Sequence, residues 1–587
     1  MQLRHTVTAL GLTAALLAAA AAGAQQARVP VREVTLDNGL KLLLVERHDT
    51  PTIAAGWAAH AGSANEVPGQ TGIAHLFEHM MFKGTTTIGT RDAAAEAAIM
   101  AKLDGIRSDM EKEYAKLRDA KRRGTISGSI YDPENQTPQL AELRKKLEAL
   151  QTEQSKLIVK EEFEKVYAKE GASSLNAFTD YDMTVFFCNV PANKVELWFW
   201  MESERLLHPV FREFYSERDV VREERRMRVE SDPTAKFEEQ FDAMFWQALP
   251  YHHPVVGWPS DVESINREQA DRFFATYYAP NNLTAAIVGD FDADKIIELA
   301  NRYFGRIPRG TTPPPEIVTE PTEQLAPRRM NAVAETNPSV TLRWHAVPFV
   351  HKDAAALDVL SDLLAGRTGR LYRSLVESKG IATGEPYAAL RPLRLDGYLE
   401  LGAEIADGHS HEEVERAMLD EVGRLKKEPV TPHELQKVKN QSLANSFRRL
   451  QSNFGLMLQL LIYDAEGDWQ YLNDAYQKVQ AVTAEDVQRV ATTYLTSSGL
   501  DVLWYSRKEG TAEDPELAAL PPQAKEYAKR MLAQIAKVAD PAMLRQGLQS
   551  IQAQTNEAPD EYRAALKLIA SRIEARIAEL EAAGKEN

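Results

Sequence analysis

Cysteine is almost absent: Cys188 is the one thiol in 587 residues, so no disulfide can form within the chain. Such a chain must be held together by its core, and 44% hydrophobic with 26% charged residues is ordinary globular composition. Cys188 itself lies in the apolar run MTVFFCNV and reads as a buried, inert thiol. Basic charge is also short, with 69 Lys and Arg against 85 Asp and Glu, a net of -16. That argues against nucleic acid as a general partner, because phosphate binding needs a basic footprint. Apolar runs long enough to cross a bilayer are missing beyond residue 24, so no transmembrane segment is expected in the mature chain. The length exceeds what one hydrophobic core supports, and two or more domains are expected.

What the first residues do have is an export pattern. MQLRH is a short basic start, TVTALGLTAALLAAAAAG is an apolar core, and Ala22-Gly23-Ala24 is a small-residue cleavage site before Gln25. Residues 1–24 are read as a cleavable signal peptide. An exported chain of this size without disulfides fits a bacterial periplasm.

The run VREVTLDNGLKLLLVERHDTPTIAAGWAAHAG alternates apolar and polar residues around Asn38-Gly39, which predicts a hairpin with positive φ at both turn positions. A helix follows in GQTGIAHLFEHMMFKG. Residues 91–170 change character, becoming rich in Ala, Glu, Lys and Leu at helical spacing, with GTISGSIYDPENQ as a break. They predict a helical hairpin, possible as a coiled coil, projecting from the first domain. RGTTPPPEIVTEPTEQLAP predicts an extended linker, since proline excludes helix. Beyond it, TAEDVQRVATTYLTSSGLDVLWYSRK repeats the pattern of NREQADRFFATYYAPNNLTAAIVGDFD, with Tyr494 standing where Tyr277 stood. The organisation expected is a first domain over 25–308 with its insertion at 91–170, a linker at 309–330, a second related domain over 331–510, and a helical tail over 511–587. The fold class is α+β, two homologous units, each an antiparallel sheet covered by helices on one face.

The chemistry sits in HLFEH, residues 75–79. On a helix, His75 and His79 lie one turn apart on one face and aim their imidazoles at a common point. Glu78 falls beside them, placed to act on a water rather than to ligate. Ile73, Leu76, Phe77, Met80, Met81 and Phe82 surround the triplet, so the helix is buried, and buried unpaired charge is costly. A divalent metal gives these residues a reason to be there. A third ligand is needed, and SERDVVREERRMRVE offers Glu217, Glu223 and Glu224, of which Glu217 and Glu224 share a helix face.

The H-x-x-E-H order is the inverted zinc motif. Together GIAHLFEHMMFKGT, SSLNAFT and ERDVVREE resemble the pitrilysin/insulinase-like metallopeptidases, especially the mitochondrial-processing-peptidase branch and its bacterial relatives, over about residues 30–510. The resemblance implies a zinc endopeptidase with one Zn²⁺ per chain. His75, His79 and Glu224 would be metal ligands, Glu78 the catalytic base and Glu217 the acid supporting a histidine. Asn176, Ala177 and Phe178 in SSLNAFT would bind substrate, through backbone groups of an exposed strand edge. Two features depart from the family. His79 and Glu224 are unusually far apart, which the 91–170 segment explains. In the second half, family members that work alone carry an arginine and a tyrosine seven apart that hold the substrate carbonyl; the matching stretch LVESKGIATG has Val376 and Thr383 there. The resemblance therefore implies the catalytic subunit of a heterodimer, whose non-identical homologous partner supplies that pair. The two subunits would enclose unfolded peptides in a chamber. The alternative is a non-catalytic assembly or binding subunit of the same family.

Overall fold

The computed structural model describes residues 28–508, 514–536, 538 and 540–583. The expected signal at 1–24 lies outside them. The first sheet is built from β1 (Arg32–Thr35), β2 (Lys41–Glu46), β3 (Thr52–Ala59), β4 (Ser173–Thr179), β5 (Thr184–Pro191) and β6 (Leu283–Gly289), in the order β1-β2-β6-β3-β5-β4. Among the described residues both ends of that order are edges, so β4 has a free side. Most neighbours run antiparallel, but β2 and β6 are parallel and the sheet is mixed. The β1–β2 turn forms where expected, with Leu36 N–H donating to the Leu40 carbonyl. Only Gly39 takes positive φ, at 94°. The Asn38 amide is spent instead on the carbonyls of Phe304 and Ile307, at 2.8 and 3.0 Å. A tertiary contact has replaced the turn type that the dipeptide favours.

One face of this sheet is covered by α1 (Ile73–Met80) and by the long excursion between β3 and β4. The excursion comprises α2 (Ala93–Arg122), α3 (Pro138–Ser155) and α4 (Glu162–Lys169), of which α2 and α3 pack together as a hairpin. Two buried ionic knots fasten it. Arg212, 1% exposed, donates to Glu96 at the start of α2 and to the carbonyls of Thr85 and Ile88 just beyond α1. Glu202, on α5 (Val195–Leu207), accepts from Trp57 Nε1 at 2.6 Å, Tyr167 Oη at 2.5 Å and Arg205 Nε at 2.6 Å. Sheet, excursion and α5 thus share one buried carboxylate. Further along the chain lie α6 (Phe214–Arg225) and, beyond two intervening helices, α7 (Arg267–Tyr277).

The second sheet holds β7 (Arg328–Ala334), β8 (Ser339–His345), β9 (Ala382–Pro392), β10 (Gly397–Ile405) and β11 (Leu500–Arg507), in the order β7-β11-β8-β10-β9. Counted from β2, the first sheet has the same order strand for strand. Between the second and third strands of this sheet lies α8 (Ala354–Leu364), followed within eight residues by a single wide turn, Tyr372–Ser378, where the first half carries its hairpin. Helix α9 (Asn453–Glu466) breaks the pattern of helices on one face only. It lies across the opposite face of the first sheet, packing Leu456, Met457, Leu460 and Leu461 against Leu43, Ala54 and Val288. Asp464 of α9 accepts from Lys41 Nζ at 2.8 Å and Thr284 Oγ1 at 2.6 Å. The internal repeat is explicit in α10 (Ala484–Tyr494): like α7 it has 11 residues, opens with a reciprocal capping box, ends on tyrosine and leads into the sheet.

From Arg507 onward the described residues, with 333–336, form a separate compact unit. Its helices α11 (Pro522–Ala536), α12 (Pro541–Glu557) and α13 (Asp560–Ala583) bury Ala528, Leu544, Ile551 and Ile569 in a core of their own. Among the described residues, no helix is long and apolar enough to cross a membrane.

Candidate metal centre

Helix α1 is set by three local devices. Gly72, at φ 89°, turns the chain into it, in a conformation a β-carbon would strain. Glu66 supplies the cap, accepting the Gly72 and Ala74 N–H groups at 2.8 Å each. Leu76, Phe77 and Met80 bury one face, with the Phe77 ring 4.9 Å from that of Phe211. The other face is left to His75 and His79, whose ring centroids are 4.9 Å apart.

Helix α6 brings the acids. Glu224 Oε2 lies 3.3 Å from His79 Nε2, and Glu224 Oε1 lies 3.8 Å from His75 Nε2. One donor atom each from His75, His79 and Glu224 falls within 4.8 Å of the others, two imidazole nitrogens and a carboxylate oxygen around one point. That donor set and spacing fit a divalent transition metal such as zinc. Two turns earlier on the same face, Glu217 Oε1 is 3.0 Å from His79 Nδ1, which fixes the ring so that Nε2 faces the centre. Glu217 is held in turn by Lys83 at 2.5 Å. Glu223 turns away, engaging Arg226 at 2.9 Å on the exposed side.

Electrostatics separate the two rings. Burial, with His79 adding, lowers His75 to about 4, so it is a neutral imidazole ready to ligate. Burial opposes charge on His79 as well, but Glu217 and Glu224 lift it to about 9. A cation entering the centre has to displace that proton. Glu78 stands beside the rings with its carboxyl raised by burial, against the opposing hydrogen bond from Thr179 Oγ1 at 2.7 Å. A raised carboxyl brings its proton affinity closer to neutral pH, as general-base work requires.

The strand-edge residues divide. Asn176 is exposed and lines the same hollow as Glu78, on the free side of the sheet. The Ala177 side chain is buried in the core, and the Phe178 ring packs on the opposite face of the sheet. These two can serve a peptide only through their backbone. Sequence reasoning passed over Glu66, Thr179, Lys83 and Arg228, which reaches Glu224 Oε1 at 2.8 Å. Of these, Glu66 was open to discovery, as an acid shortly before a helix start.

Sequence profiles of two related domains cover this chain. The profile of the insulinase family, peptidase family M16, matches residues 41–103 and 126–257, and that of the M16 inactive domain matches 264–442. The chain belongs to family M16. The unmatched residues 104–125 fall inside the helical hairpin. Among M16 relatives, the zinc protease PqqE of Helicobacter pylori is 27% identical over 501 residues, spanning 83% of this chain and 95% of that protein. An uncharacterized zinc protease of Bacillus subtilis, YmxG, is 20% identical, over 79% of this chain and 96% of its own length. The crystal structure of a protease from Helicobacter pylori superposes with a TM-score of 0.66 at 23% identity, covering 82% of this chain and all of that one. A structure of an M16 inactive domain from Pseudomonas fluorescens gives 0.61 at 17%, over 81% and 98% of the two chains. The likeness to these structures establishes the fold, two M16 halves in one chain.

Proposed function

We propose that this M16 chain is a zinc-dependent endopeptidase acting on unfolded peptides, exported to the periplasm by its leading segment, and that it is the metal-bearing subunit of a heterodimer. The observation that carries the reading is the convergence of His75, His79 and Glu224 on one point with Glu78 beside it. His75, His79 and Glu224 would hold one zinc ion, and Glu217 would orient His79. Bound there, zinc would supply Lewis-acid polarisation of the scissile carbonyl and make the attacking water more acidic. Glu78 takes the proton from that water and passes it to the leaving amine, held in place meanwhile by Thr179. An extended peptide would pair with the free edge of β4, its backbone meeting that of Asn176 and Ala177.

The partner is inferred from what stands in the second half. Val376 sits half-buried in the wide turn after α8, and Thr383 is exposed near the start of β9. Neither offers the positively charged or phenolic donor that would stabilise an oxyanion, a loss worth about a hundredfold or more in rate. The same absence favours a second reading, a non-catalytic assembly subunit. The decisive experiment purifies the chain alone and with a co-expressed homologue bearing the arginine and tyrosine, and measures zinc content and peptide cleavage. Cleavage by the pair and little by the lone chain supports the heterodimer; full activity of the lone chain removes the partner. Stoichiometric zinc with no cleavage in either form leaves the assembly subunit.

A further inference from the structure

Two arginines meet where the helical excursion packs on the helix that carries Glu217 and Glu224. Arg107 lies on α2 and Arg218 on α6, their guanidinium carbons 4.5 and 5.6 Å from the centre of the Tyr215 ring. Both line a cavity of about 510 Å³ bounded by α2, α6 and the start of α7. None of its lining residues lines the hollow beside Glu78. Its α2 wall begins at Asp104, inside the stretch 104–125 that the family profile leaves unmatched. We propose that this cavity binds a small zwitterion, a free α-amino acid or dipeptide with an apolar side chain, holding its carboxylate on Arg107 and Arg218 and its ammonium on Glu263.

Buried charge without a partner carries the assignment. Arg218 is 7% exposed; its Nη1 donates to the Ile265 carbonyl at 3.1 Å, and its Nε has no partner in the protein. Arg107 Nε is buried and equally unpartnered, and among the described residues Arg107 makes no hydrogen bond or ion pair. Burial, with Arg218 adding, lowers Arg107 to about 10. On the acidic side, Glu263 Oε1 meets Arg222 at 2.7 Å, while the buried Oε2 has no partner. Burial raises the Glu263 carboxyl, against Arg222 and Arg218. A buried donor or acceptor left unmade costs free energy, so such groups gathered at one cavity point to a ligand that completes them.

The other charges of the lining are spent. Asp104 Oδ2 accepts from Arg267 Nε at 3.0 Å, and its Oδ1 from Tyr215 Oη at 3.1 Å. Glu111 is paired with Arg118, Glu268 with Arg272 and Lys112 with Asp109. Asp271 is exposed. What is left is guanidinium on α2 and α6 and a carboxylate oxygen just before α7. A simple anion would meet Glu263, and a simple cation the two arginines; a molecule bearing both charges satisfies both. A planar carboxylate matches the fork of a guanidinium. Met110, Tyr114 and Ile265, all buried, supply apolar wall for a side chain, and the volume is that of a small-molecule site.

The test is isothermal titration calorimetry on the full chain with L-phenylalanine, the dipeptide Phe-Phe, 3-phenylpropionate and phenethylamine. One of the two zwitterions should bind one per chain, with 3-phenylpropionate and phenethylamine, each lacking one charge, about tenfold or more weaker. The tighter zwitterion distinguishes a free amino acid from a dipeptide. Arg107→Gln should weaken that zwitterion by about tenfold or more. Glu263→Gln, which keeps the shape of the side chain, should weaken it while sparing 3-phenylpropionate. Circular dichroism verifies the fold of both variants, and the probe series on the unmutated chain decides the question where a substitution unfolds it. No binding of any probe up to about 10 mM overturns the site. So does 3-phenylpropionate binding as tightly as the zwitterions, or an affinity that both variants leave unchanged. None of these outcomes bears on the peptidase reading, which stands on His75, His79 and Glu224.

Discussion

His79 Nδ1 and Glu217 Oε1 lie 3.0 Å apart, 138 residues distant in sequence. The contact fixes which ring nitrogen faces Glu224, so Glu217 would act on a metal held there only through His79. Glu217→Ala is expected to weaken zinc binding by about 10- to 100-fold without unfolding the chain. Competition against a chelator of known affinity measures the change; an unaltered zinc affinity would show that Glu217 only pairs with Lys83.

Glu78 is placed differently from the three converging residues, since its carboxylate is bonded to Thr179 at 2.7 Å. Glu78→Gln is expected to keep stoichiometric zinc and lower peptide cleavage by about 10²- to 10⁴-fold. Zinc lost together with activity would make Glu78 a ligand instead of a base. Thr179→Val should give a smaller loss, with a shifted pH–rate profile.

Glu202 is 1% exposed and takes three donors, from Trp57, Tyr167 and Arg205. Its removal strands the Arg205 guanidinium, itself 1% exposed, inside the core. Glu202→Ala should cost about 3–5 kcal/mol, the range for breaking one side of a buried ion pair. Urea unfolding monitored by tryptophan fluorescence reads it, and a loss below about 1 kcal/mol would show that water replaces the carboxylate.

Asp464 gives the fold an acid-sensitive seam. Burial works against its charge, but His60, Lys41 and Thr284 draw it down to about 2. The folded value lies below the unfolded value of about 3.9, so the unfolded state binds more protons, and stability is present above about pH 4 and lost as pH falls toward 2. That arm is worth about 2 kcal/mol. The stability difference between the natural chain and Asp464→Asn should be flat from pH 5 to 7 and shrink below pH 4. A difference independent of pH would assign the role of Asp464 to packing alone.

Much of the candidate metal centre is local and was therefore legible. His75 and His79 share a face because an α-helix places i and i+4 together, whatever the rest of the chain does. The Tyr277 and Tyr494 repeat was legible for the same reason: each unit is a continuous helix, turn and strand. The third candidate ligand was not fixed by spacing. Glu217, Glu223 and Glu224 all stood within one helix, and the family resemblance singled out Glu224. In the structure it is the orientation of α6 against α1 that turns Glu217 and Glu224 inward and sends Glu223 to Arg226.

What the amino-acid order determined by itself was the set of elements and the paired imidazoles, since periodicity and capping act over a few residues. Tertiary structure alone decided that β2 runs parallel to β6, that α9 of the second half covers the first sheet, and that residues 158–164 form a wall beside Glu78. Each of these joins segments from about 80 to more than 400 residues apart. Such contacts are chosen by which apolar faces can be buried together across the whole chain, a property no short stretch of sequence contains.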